Sequence, residues 1–101
     1  MNELSIPLDD GHRLVLAGDY TPASRPTRHE PGTPEAFEPL AAWVEEPRGR
    51  RIEVTALLER IERAVPGFAW GAWAEVAALA QLTREREEAW LERALARREV
   101  A

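Results

Sequence analysis

The sequence contains neither cysteine nor lysine. The first absence removes any disulfide framework, thiolate metal site or cysteine nucleophile, and it fits a reducing, cytoplasmic compartment. The second leaves every basic residue an arginine, a bias we read as the mark of a GC-rich coding genome rather than of guanidinium chemistry at each position. Long apolar runs are missing too. The first ten residues lack a basic segment followed by a continuous apolar one, and Val76 to Ala80 is far too short to cross a bilayer. Neither export nor membrane insertion is expected. The six glycines are scattered; no Gly-x-Gly-x-x-Gly or Walker-type run offers a phosphate loop, and Gly-x-Ser-x-Gly and Ser-x-x-Lys are absent. No catalytic, cofactor-binding or metal-binding residue is assigned, and the chain is read as a binding protein rather than an enzyme.

What is present suits a folded domain. At 101 residues, with 45% hydrophobic and 31% charged residues, the chain is too apolar for wholesale disorder and long enough for one modest core. Residues 1–101 are taken as a single domain. The net charge of −5 is spread unevenly. Through Glu46, the acids Glu3, Asp9, Asp10, Asp19, Glu30, Glu35, Glu38, Glu45 and Glu46 face only Arg13, Arg25 and Arg28; from Pro47 onward arginines slightly outnumber acids. Such an acidic half repels nucleic acid and attracts basic protein surfaces.

Leu4, Ile6 and Leu8 alternate with small or polar residues, Asp9-Asp10-Gly11-His12 supplies a turn, and Leu14, Leu16, Gly18 and Tyr20 continue the alternation. This predicts a β-hairpin, with Pro7 at a sheet edge or bulge and Gly18 marking a second bulge. Thr21 to Glu35 holds four prolines and no large apolar residue; a loop this long is either functional or disordered. A second hairpin is expected from Phe37 to Val54, with Leu40, Ala42 and Val44 on one face. Its turn at Pro47-Arg48-Gly49-Arg50 would bring Glu45 and Glu46 near Arg50 and Arg51.

Thr55 is positioned to cap a helix striped by Leu57, Leu58, Ile61 and Val65 and ended by Pro66-Gly67. A second helix from about Trp70 carries Trp73, Val76, Ala77, Leu79, Ala80 and Leu82, with Trp73 expected in the core. The charged segment from Thr83, with Trp90, Leu91, Ala94 and Leu95 at helical spacing, either continues that helix or restarts at Thr83. The fold class is α+β: a small antiparallel sheet of two hairpins packed on two or three carboxy-terminal helices.

Asp9, Asp10 and His12 have metal-ligand chemistry, but the run reads as a strand turn, and nothing brings His29 to His12. Glu45-Glu46 and Glu87-Glu88 read as solvated faces rather than acid/base pairs. The helix after Pro66-Gly67 presents almost no basic side chains, so a helix-turn-helix DNA reader is disfavoured. The residues assigned to partner binding are Asp9, Asp10, Asp19, Tyr20, Glu45 and Glu46 in the acidic half, and Trp70 and Trp90 among the aromatic anchors.

The order Asp19-Tyr20-Thr21-Pro22-Ala23, Pro26-Thr27-Arg28, Pro31-Gly32-Thr33-Pro34-Glu35 and Ile52-Glu53-Val54-Thr55-Ala56-Leu57-Leu58 resembles small accessory proteins of tailed bacteriophages and prophages over about the first two-thirds of the chain. The resemblance implies a phage protein acting on a host or phage protein complex inside the host cell, such as an anti-CRISPR protein blocking a Cascade-type CRISPR effector subunit. It implies no catalytic residue and no direct contact with nucleic acid. Two other readings stand beside it: a structural or assembly protein self-associating, for instance as a homodimer, through the helix with Trp90 and Leu91, and an antitoxin-like regulator.

Overall fold

A computed structural model describes residues 1–100, with side-chain surroundings through Arg98. The first alternating segment forms β1 (Asn2–Pro7), antiparallel to β2 (Arg13–Thr21). Their connection is a single 3-10 turn at Asp9–Gly11, in which Asp10 (φ 59°) and Gly11 (φ 78°) both enter the left-handed region, where Asp and Gly are the least strained residues. β2 pairs with β3 (Ala36–Glu45), and β3 with the short β4 (Arg51–Glu53), giving a four-stranded antiparallel meander in the order β1-β2-β3-β4. Pro7 thus ends an edge strand, as its missing amide requires.

The sequence placed Leu40 on one face with Ala42 and Val44, and the register corrects this. Gly18 faces Pro39 and Ala17 faces Ala41, so Leu40 is the extra residue of a β-bulge and is 44% exposed. The bulge resets the alternation. Phe37, not Leu40, therefore enters the core, where it is fully buried opposite Tyr20. Pro39 sits at the bulge and outside the reach of β4, which pairs only with Trp43–Glu45.

Two helices follow: α1 (Thr55–Ala64) and α2 (Trp70–Val100). Thr55 does not cap α1; Val54 takes that position. The Thr55 hydroxyl instead accepts the Ala42 amide at 2.9 Å, pinning the helix start to β3. Thr83 does not restart α2 either, since its hydroxyl donates to the Leu79 carbonyl at 3.0 Å and the helix runs on for 31 residues. The core lies between α2 and the sheet face bearing Ile6, Leu14, Leu16, Phe37 and Ala42, with Ala74 and Ala78 as the buried apolar residues of the helix. Alanine on this face lets the helix backbone come close to the strands. Trp73, one position away and so rotated by about 100°, is consequently 42% exposed against Phe68 rather than in the core.

Val15 and Ala17, on the other sheet face, are buried as well. Arg51 reaches across from β4 to Glu3 on β1 at 2.8 Å while also pairing with Glu45, its strand partner, at 2.8 Å. Among the described residues no helix is long and apolar enough to cross a membrane.

Candidate interaction surface

The sheet's two ends divide the acidic residues assigned from sequence. Asp9 and Asp10 lie in the β1–β2 turn, which abuts the β3–β4 turn: a methyl group on Gly11 would sit 3.3 Å from Pro47 Cγ. Glu45 and Glu46 are at this same end, since Glu45 pairs with Arg13 in the β2–β3 register. The structure therefore brings these four carboxylates into one region, together with Arg13, Arg48, Arg50 and Arg51, which balance them. Asp19 and Tyr20 are at the far end, about 20 Å along β2 at the usual strand rise. They are consecutive, so they also occupy opposite faces.

Tyr20 is turned inward. Its hydroxyl donates to Glu35 Oε2 at 2.9 Å and accepts from Arg86 Nη2 at 2.9 Å, while Arg86 also pairs with Glu35 at 2.8 Å. The Arg86 hydrogen bond, followed by that of Tyr20, holds the Glu35 carboxyl below the usual carboxylate range. This three-residue lock joins the end of the long loop to the middle of α2. Glu75, one turn past the start of α2, adds a second tie by accepting the Phe37 amide at 3.1 Å.

Trp70 is half-buried against the core, and its amide donates to Glu62 Oε2 at 2.7 Å. Glu62 thereby satisfies one of the free donors that open a helix. Trp90 is different. Past Arg86 every described side chain of α2 is exposed except the half-buried Ala94, and Trp90 is 66% exposed, with Leu91 and Leu95 beside it. A 31-residue helix is about 46 Å long, and the sheet covers only its first half. The radius of gyration, 17.2 Å, records the projection, since a compact domain of this size has about 13 Å.

Further apolar side chains are uncovered. Val76 shares the outer side of α2 with Trp90, Trp73 lies between that side and the core face, and Leu57 and Ile61 of α1 with Val65 just past it form an exposed line, only Leu58 of α1 packing on the core. The stripe on α1 was evident in the sequence; that it is left exposed among the described residues was not. Trp73 was missed because it was assigned to the core, and Val76 because it was read in the same apolar set. No group of three or more metal-ligating side chains is assembled among the described residues. Comparison with protein-family models, with curated proteins and with solved structures returns no match.

Proposed function

We propose that this protein works by protein–protein contact, as a small assembly protein that associates with further copies of itself through the projecting half of α2. The observation that carries the reading is the exposure of Trp90, Leu91 and Leu95 on a helix segment that has left its own sheet. A helix without tertiary support gains little from propensity alone, and contiguous uncovered apolar side chains rimmed by charge are the usual mark of an interface. The inhibitor reading, an acidic surface laid over a partner's nucleic-acid site, needs the carboxylates on one surface. Here they divide between two ends, and arginines balance one of them, so the assembly reading is the better supported.

Sedimentation equilibrium from low to high micromolar concentration tests this. A reversible oligomer is expected, and the double substitution Trp90→Ala/Leu91→Ala should return it to a monomer with an unchanged circular dichroism spectrum. A wild-type chain that stays monomeric throughout that range refutes the proposal.

A further inference from the structure

The projecting half of α2 has a property that decides how two copies would meet. Read outward from the bond between Glu92 and Arg93, its residues mirror one another: Leu91 with Ala94, Trp90 with Leu95, Ala89 with Ala96, Glu88 with Arg97, and Glu87 with Arg98. Apolar mirrors apolar and each carboxylate mirrors a guanidinium. In an antiparallel pair of helices related by a two-fold axis, mirrored residues are those that come level with each other.

Helical spacing places much of this set on one side. Glu87, Leu91, Ala94 and Arg98 follow the 4-3-4 spacing of a helix–helix seam, with Trp90 and Leu95 flanking it. Glu92 and Arg93 obey the same mirror but lie on the opposite side of the helix. Of the six seam and flank residues all but the half-buried Ala94 are exposed, and none of their charges is engaged in an ion pair among the described residues.

We infer that two copies of this chain pair antiparallel along α2, about a two-fold axis at Glu92/Arg93. This register rests on the self-association proposed above. Leu91 of each copy then packs against Ala94 of the other at the centre, while the two Trp90 side chains cover one flank of the seam and the two Leu95 side chains the other. Glu87 closes each end against Arg98 of the other copy, with Glu88 and Arg97 at the same levels on the two flanks. A parallel, in-register pair would set Glu87 beside Glu87 and Arg98 beside Arg98, repelling at both ends. The interface is short and belongs to the smaller, reversible class.

Charge reversal distinguishes the arrangements. In the antiparallel pair, Glu87→Arg/Glu88→Arg alone puts like charges at both ends and should weaken dimerisation on the order of ten-fold at low salt. Combining it with Arg97→Glu/Arg98→Glu should restore the wild-type constant. In a parallel pair neither variant changes the sign of any facing pair, and both should associate like the wild type.

Spin labels give a second readout that does not depend on those variants. The chain has no cysteine, so Thr83→Cys and Ala96→Cys can each be labelled singly. Helix geometry puts the antiparallel label pairs about 30 Å apart at position 83 and about 15 Å apart at position 96. Equal short distances at both positions, or charge variants that dimerise unchanged, overturn the register and leave self-association standing. A wild-type monomer removes both.

Discussion

Gly18 and Glu38 approach so closely across the β2–β3 bulge that a methyl group on Gly18 would overlap the Glu38 carbonyl oxygen, with Phe37 Cε1 only 3.0 Å away. The contact is backbone on one side and a fully buried ring on the other, so neither can yield cheaply. Gly18→Ala should destabilise the fold by roughly 1–3 kcal/mol, the ordinary range for forcing a methyl into packed space. Urea unfolding followed by circular dichroism measures it. A midpoint equal to that of the wild type would show that the bulge can open.

The Arg86–Glu35 pair makes a pH-dependent contribution whose sign follows from its geometry. Hydrogen bonds from Arg86 and then Tyr20 lower the Glu35 pKa in the folded state. Stability from this carboxylate is therefore present above its unfolded-state value and is lost as pH falls through the lowered folded value. Carboxylate NMR titration should place Glu35 below the ordinary glutamate value, and Arg86→Ala should bring it back up towards that value. Its side chain is partly solvated, so the effect on overall stability is expected to be small.

Much of this fold was legible in the sequence, and the misreadings have physical causes. The alternation of Leu4, Ile6, Leu14 and Leu16 named the core face of the first hairpin, and Gly18 named the bulge. Leu40 was misplaced because a bulge shifts parity without changing composition, so strict alternation counted one residue too many. Trp73 was misplaced because side-chain size suggested a core residue, whereas the sheet accepted the alanine face of α2, where backbones approach more closely. The mirrored charges around Glu92 and Arg93 are plain in the sequence. Their meaning depends on Thr83 leaving the helix unbroken and on the sheet ending short of Trp90, and neither follows from local pattern.

The same choice of helix face predicts the cost of losing each side chain. Leu16 is fully buried, and Leu16→Ala should cost about 2–5 kcal/mol. Trp73 is only partly covered, chiefly through its tilted contact with Phe68 at 6.3 Å between ring centroids. Trp73→Ala should cost less than half of the roughly 3–5 kcal/mol typical of a buried tryptophan. Equilibrium denaturation of the two variants side by side provides the comparison, and a Trp73 loss as large as that of Leu16 would place the indole in the core after all.

The long β2–β3 connection is held at two levels. Ser24 and Thr33 face each other through an amide–carbonyl bond of 2.9 Å and a hydroxyl–hydroxyl bond of 2.7 Å, and Thr27 closes a bend by accepting the Glu30 amide at 3.0 Å. Every residue from Thr21 to Pro34 is nonetheless exposed, and exposed polar bonds of this kind open at little free-energy cost. Arg28 sits inside the bend, and the bond after Arg25 is protected because Pro26 follows it. Trypsin should therefore make its first internal cut after Arg28, ahead of Arg84 and Arg86, which lie in a continuous helix. The two pieces should remain associated, because β2 and β3 pair from Arg13 with Glu45 to Thr21 with Ala36, and Arg86 holds Glu35 on the far side of the cut. Intact-mass analysis of an early time point, followed by gel filtration under native conditions, tests both statements. Earlier cleavage after Arg84 or Arg86 would mean that the projecting helix opens more readily than the loop, and separation of the pieces would mean that the loop itself holds the sheet together.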